Sequence, residues 1–81
     1  MKTRVYAYRD AKNKGQFSMP VLDFSDELAI RHFAMLCHNN QSEMGFAPMD
    51  FDLMYIGNYD YTTAQFENVT PEFIVNGASV V

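Results

Sequence analysis

The sequence predicts an α+β fold, in which one helix packs on a small, mainly antiparallel sheet of four to five strands. Segments in both halves of the chain alternate polar and apolar residues and are rich in β-branched and aromatic types, which is typical of strands. One stretch between them repeats its apolar residues with helical spacing. At 81 residues, we expect the whole chain, 1–81, to form a single domain.

The first strand is predicted over residues 3–9, where apolar and polar side chains alternate. A polar stretch closed by glycine at 10–15 predicts a turn. Residues 16–22 contain a second apolar segment, but Pro20 has no N–H for a sheet ladder. This second strand is therefore expected to be short or to lie at an edge of the sheet.

A helix is predicted over about 26–38, because the Ser25 hydroxyl can cap its first turn and acidic residues follow directly. The residues that share its predicted core face are Ala29, Ile30, Phe33, Leu36 and Cys37. Leu28 and Met35, seven residues apart, form a weaker apolar ridge beside that face. We expect Leu28 and Met35 to contact a second subunit or another partner.

The second half of the chain is predicted to contain a loop and then three strands. Amide side chains, glycine and proline indicate a connecting loop at 39–48, and alternation indicates a strand over 50–56. Gly57 allows a bulge or a bend. The remaining segments are a hairpin turn at 62–64 leading into a strand at 65–67, a short strand at 73–75 after Pro71, and a tail at 78–81 that is expected to fray.

No residue pattern for catalysis or for a cofactor is present, so we expect the protein not to be an enzyme. The four glycines stand far apart and form no phosphate-binding loop. His32 and His38 are six residues apart on the predicted helix and diverge by about 120°, which does not suit one zinc ion. Asp50, Asp52 and Asp60 lack the spacing of a calcium loop, and we expect no metal site.

The cationic side chains are distributed very unevenly along the chain. Five of the six, with only one of the ten carboxylates, lie within the first fourteen residues, which therefore carry a net charge of +4 in a chain of net charge −4. These five cations are Lys2, Arg4, Arg9, Lys12 and Lys14. A polyanion remains a possible partner of this acidic chain because of that segment.

Alternation in the first strand places Lys2, Arg4, Tyr6 and Tyr8 on one face. Cations next to aromatic rings on a strand are how sheet proteins hold single-stranded nucleic acid, with phosphates on the charges and bases on the rings. Alternatively, Tyr6 and Tyr8 pack in the core under the helix, an interpretation that we favour because Val5 and Ala7 alone contribute little apolar volume. The candidate nucleic-acid-binding residues are Lys2, Arg4, Tyr6, Tyr8, Arg9, Lys12 and Lys14.

Four stretches, in this order along the chain, resemble the small nonstructural protein of the gokushoviruses, a microvirus group of single-stranded-DNA phages. The stretches are Val5 to Asp10, Ala29 to Phe33, Asp50 to Asp60, and Pro71 to Val75. The third is the most telling, because it carries Asp-Phe-x-Leu, then Ile-Gly, then Tyr-Asp.

The resemblance implies a phage protein that binds single-stranded DNA or acts in genome replication or in the switch to single-strand synthesis and packaging. It implies no catalytic activity, and it transfers no established functional residue to this chain. The alternative is an interaction module that binds the phage replication initiator, the procapsid or a host factor without contacting DNA.

Partners and location follow from composition and size. A chain of 81 residues buries only a small core, so we expect a homo-oligomer, a dimer or a higher form, to add stability. The single cysteine, Cys37, and the lack of a long apolar run predict no membrane partner and a reducing cytoplasm. With the resemblance to a phage family, this implies the host bacterial cytoplasm.

Overall fold

The computed structural model describes residues 1–81 and contains one antiparallel sheet with a long helix packed across one of its faces. The strands are β1 (Lys2–Asp10), β2 (Gln16–Phe17), β3 (Val21–Asp23), β4 (Phe51–Asp60) and β5 (Gln65–Asn76). The helices are α1 (Asp26–His38) and the short α2 (Glu43–Phe46), with 3-10 turns at Pro48–Asp50 and Gly77–Ser79. The predicted α+β class, with one main helix on four to five strands, is confirmed.

The strands lie in the order β2-β1-β4-β5, and β3 also pairs with β1. β2 and β3 share one edge of β1, because β2 pairs near Arg9 and β3 pairs near Val5. The backbone N–H of Tyr8, between these two pairings, donates instead to the Ser18 hydroxyl at 2.9 Å. The predicted edge strand at 16–22 is therefore real but is divided into two pieces around Pro20.

The helix α1 begins and ends as the sequence predicts. The Ser25 hydroxyl accepts a hydrogen bond from the Leu28 N–H at 3.2 Å and caps the first turn. Ala29, Phe33 and Cys37 are buried on the face that meets the sheet. The buried core consists of Tyr6, Ala29, Phe33, Cys37, Phe51, Leu53 and Tyr55.

The predictions for the segment 39–48 and for the C-terminal tail are wrong in part. The segment 39–48 is not only a loop, because the Ser42 hydroxyl caps α2 by accepting from the Gly45 N–H at 3.0 Å. The tail does not fray as a whole, because Val80 packs against the core and its carbonyl accepts from His38 Nε2 at 2.9 Å. Tertiary contacts hold both segments, and neither is long enough to show a periodic pattern.

β5 is one strand of twelve residues rather than two separate strands. Tyr55 pairs with Glu72 and Gly57 pairs with Asn68, so residues 69–71 have no pairing partner in β4. Pro71 lies in this irregularity, so its missing N–H removes no hydrogen bond between the strands. Gly57 is required there, because a Cβ would lie 2.4 Å from the Glu67 carbonyl oxygen.

The hairpin between β4 and β5 turns at 61–64 and places Ala64 at a φ of 61°. This left-handed conformation is usually occupied by glycine. The hairpin predicted from the sequence therefore forms without the glycine that such turns favour.

One helix covers one face of the sheet and leaves the opposite face without a covering layer. We call that opposite face the open face. By strand alternation and pairing, its side chains include Val5, Ala7, Arg9, Phe17, Leu22, Asp52, Met54, Tyr59, Phe66 and Phe73. Val5, Ala7 and Met54 are buried but lie outside the core cluster under α1.

Candidate nucleic-acid interface

The structure places the two tyrosines of β1 beneath α1. Tyr6 is completely buried, and the ring of the half-buried Tyr8 stacks on Phe33 with 5.4 Å between centroids. Tyr6 therefore cannot stack on a base, and the interpretation of both tyrosines as core residues describes the observed packing.

Arg4 and Tyr6 join β1 to the start of α1 through the Asp26 carboxylate. The Tyr6 hydroxyl donates to Asp26 Oδ1 at 2.5 Å, and Arg4 Nε donates to the same oxygen at 2.9 Å. The Arg4 guanidinium also lies 3.8 Å from the centre of the Tyr55 ring. Arg4 is thus engaged within the fold and is not a free cation.

Burial raises the pKa of Tyr6 to about 12, and the hydrogen bond to the Asp26 carboxylate adds to this shift. The neighbouring Arg4 guanidinium acts in the opposite direction. Burial also raises the pKa of Tyr8. Both phenols are therefore held in their neutral form when the chain is folded.

Lys2 is also paired within the chain. Its amine contacts Glu67 Oε2 at 3.3 Å, and Asn58 donates to the other oxygen of Glu67 at 2.8 Å. Hydrogen bonds from Asn58 and Lys2 lower the pKa of the Glu67 carboxyl, and the bond from Asn58 has the larger effect. Lys2 and Glu67 are both more than half exposed, so this pair contributes little to stability.

The other three cations of the N-terminal segment, Arg9, Lys12 and Lys14, form no ion pair. They lie at one end of the sheet, where the turn between β1 and β2 is closed by backbone hydrogen bonds from Gly15 and Asn13 to Asp10. A Cβ on Gly15 would lie 2.7 Å from Arg9 Nη2, so the glycine lets the guanidinium lie against the turn. We call these three residues the cationic turn.

Sequence reasoning missed the aromatic side chains on the open face. Phe17 is 44% exposed and pairs with Arg9 across the strands, and Phe73 is 57% exposed and pairs with Met54. Phe17 and Phe73 lie on the same face of the sheet because of the order of its strands. No local pattern in the sequence specifies that order. The juxtaposition of Arg9 with Phe17 requires only the turn at 10–15, and that turn is visible in the sequence.

A cleft of about 640 Å³ adjoins the cationic turn, but its lining does not favour an anion. Three carboxylates and one lysine line it, together with several amide side chains. These charged side chains belong to Asp10, Lys12, Glu43 and Asp50. A phosphate is therefore better accommodated on the outer side of the turn than in the cleft.

The side chains considered for metal binding are engaged elsewhere. His32 Nδ1 contacts the Asp23 carboxylate at 3.1 Å, and Cys37 is buried in the core. Asn76 donates to Asp52 at 2.8 Å, whereas Asp60 lies at the other end of β4. No group of three or more His, Cys, Asp or Glu side chains in the structure could hold a metal ion.

None of the helices has the length and apolar character required to cross a lipid bilayer.

The fold and this surface define a small α+β protein with a covered sheet face, an open sheet face and a cationic turn at one end. A family model described as "Phage ORF5 protein" matches residues 3–80, which is nearly the whole chain. The chain belongs to this phage protein family. No curated protein and no solved structure matches it.

Replacing Tyr6 with phenylalanine tests the contact with Asp26 through its pH dependence. The unfolded phenol titrates near 10 and the folded one near 12, so the unfolded state loses its proton first. The stability that the neutral Tyr6 contributes is present below pH 10 and is lost as the pH rises toward 12. We expect urea midpoints of the unmodified chain to fall across this range, and Tyr6→Phe to reduce the fall while costing about 1 kcal/mol at neutral pH.

Tyr61→Phe is the matched control, because Tyr61 is an exposed tyrosine that makes no hydrogen bond to Asp26. It should keep the full alkaline decline, since it leaves Tyr6 in place. Equal declines in Tyr6→Phe and in the unmodified chain would contradict the assignment.

Proposed function

We propose that this chain is a phage accessory protein that binds single-stranded DNA in the host bacterial cytoplasm. It serves viral genome replication or the switch to single-strand synthesis and packaging, without catalysis or a cofactor. The observation that carries the proposal is the cationic turn, in which Arg9, Lys12 and Lys14 have no carboxylate partner while Lys2 and Arg4 are paired.

The arrangement of the carboxylates supports an approach of DNA from the side of the open face. Strand pairing assigns only Asp52 among the carboxylates to that face, and Asn76 donates a hydrogen bond to it at 2.8 Å. The other acidic residues lie on the helices, in turns or on the helix-covered face. A polyanion therefore meets less repulsion at the open face and the cationic turn than elsewhere on a chain of net charge −4.

Single-stranded DNA is proposed as the nucleic acid because the chain belongs to a phage protein family and resembles gokushovirus nonstructural proteins. Phages of that group package single-stranded DNA, and such DNA exposes both phosphates and unpaired bases. Phosphates suit the cationic turn, which has no preference for a particular base.

Removing charge from the cationic turn tests the proposal through the salt dependence of binding. Each phosphate neutralised on a single strand contributes about −0.7 to the slope of log affinity against log salt. In fluorescence anisotropy with a labelled oligothymidine, Lys12→Gln should make the slope shallower by about 0.7, and the double variant with Lys14→Gln by about 1.4.

Arg31→Gln is the matched control, because Arg31 is an exposed, unpaired cation on α1 and its loss also removes one charge. It should leave the slope unchanged. If the unmodified chain at tens of micromolar and low salt binds no oligothymidine, the proposed function is wrong.

A second candidate function is a protein-interaction module that engages a phage replication or capsid protein, or a further copy of the chain. Leu28 is 38% exposed and Met35 is 65% exposed on α1, away from the open face. Two such side chains on one helix are a suitable centre for a protein contact. Self-association there would bring several cationic turns together, and it remains compatible with DNA on the open face.

Light scattering tests self-association through the helix. We expect a mass of at least twice the 9.3 kDa of one chain, falling to one chain in the double variant Leu28→Gln and Met35→Gln. Met49→Gln is the control, because Met49 is 67% exposed and lies outside α1. A mass of 9.3 kDa for the unmodified chain at all working concentrations would exclude the oligomer.

A further inference from the structure

We infer that the open face is the surface on which the bases of a bound single strand stack, with Phe17 and Phe73 as the two stacking rings. The inference rests on the proposed function and adds to it the site and the chemistry of base contact. The aromatic part of the interface then lies on the side of the sheet opposite Tyr6 and Tyr8.

The floor of the open face is apolar and made of small or flexible side chains. Val5 is 4% exposed, Ala7 is 1% exposed and Met54 is 9% exposed, although α1 packs on the other side of the sheet. Larger apolar side chains lie on the neighbouring strands at both sides of this floor. Phe17 and Leu22 lie on the β2 and β3 side, and Phe73 lies on β5.

Strand pairing places the two rings at the same end of the sheet. Phe17 pairs with Arg9, and Arg9 pairs with Asp52. One step further along the strands, Ala7 pairs with Met54 and Met54 pairs with Phe73. Three strand spacings separate β2 from β5, or about 14 Å at about 4.8 Å per spacing.

This end of the sheet also carries the cationic turn. Arg9 is the direct cross-strand neighbour of Phe17, and Lys12 and Lys14 follow in the turn that leads to β2. A nucleotide whose base contacts Phe17 therefore has three cations within reach of its phosphates. Aromatic rings beside a cationic track are the general arrangement for holding single strands without base specificity.

The rings are available to a ligand without disturbing the core. Phe17 is 44% exposed and Phe73 is 57% exposed, and neither belongs to the core cluster. By contrast, Tyr59 and Phe66 at the far end of the open face pack on each other, with ring centroids 4.7 Å apart. The far pair lacks neighbouring free cations, because Lys2 at that end is paired with Glu67.

The test compares substitutions at the two rings in oligothymidine binding by the full chain. Phe17→Ala and Phe73→Ala should each weaken affinity about five- to hundredfold, the range for loss of one stacked base. The salt slope should stay unchanged, because stacking releases no counterions. Phe17→Tyr and Phe73→Tyr should retain the affinity, whereas Phe17→Leu and Phe73→Leu should lose it because leucine keeps an apolar surface but has no ring.

Phe24→Ala is the matched control, because Phe24 is 71% exposed and contacts Tyr61 at the opposite end of the sheet. It should bind as the unmodified chain does. If the unmodified chain binds DNA and the ring variants bind equally well, the stacking site is wrong and the proposed function stands.

If the ring variants keep DNA affinity but lose mass in light scattering, the open face binds a second copy and the inference is overturned. If leucine preserves affinity as well as tyrosine does, the contact is apolar rather than stacking, and the inference is likewise overturned. Absence of binding by the unmodified chain would refute the proposed function itself.

Discussion

The structure depends on the constraint that one long helix can cover only one face of the sheet. α1 buries Ala29, Phe33 and Cys37 against the face that carries Tyr6 and Leu53. The main core cluster therefore lies on one side of the sheet, and the opposite face keeps exposed phenylalanines that a second layer would otherwise bury. The side on which α1 lies decides which tyrosines are buried. It also decides which cations are paired and which aromatic rings stay exposed to a ligand.

The contact of Arg4 and Tyr6 with Asp26 explains how that side is fixed and why the basic segment divides into two parts. Asp26 lies in the first turn of α1, so the contact joins the start of the helix to a central strand. A buried phenol needs a hydrogen-bond partner, and Asp26 supplies it. The cations at the start of β1, Lys2 and Arg4, are thus paired within the fold, whereas Arg9, Lys12 and Lys14 form no ion pair.

The sequence was sufficient for the elements that depend on local chemistry. The Ser25 cap and the apolar spacing predicted α1 with its correct bounds, and alternation predicted β1 and most of β4. Continuity of β5 through Pro71 could not be predicted, because it depends on the absence of a pairing partner at that position. The exposed rings of Phe17 and Phe73 could not be grouped either, since their proximity to one end of the sheet arises only from strand order.

If DNA binds at the open face and the cationic turn, its contacts lie on the side of the sheet that α1 does not cover. The most direct measurement is an NMR titration of backbone amides with unlabelled oligothymidine. We then expect the largest shifts in the turn from Arg9 to Phe17 and around Phe73, with the amides near Leu28 and Met35 unchanged. Shifts confined to the outer side of α1 would contradict this expectation.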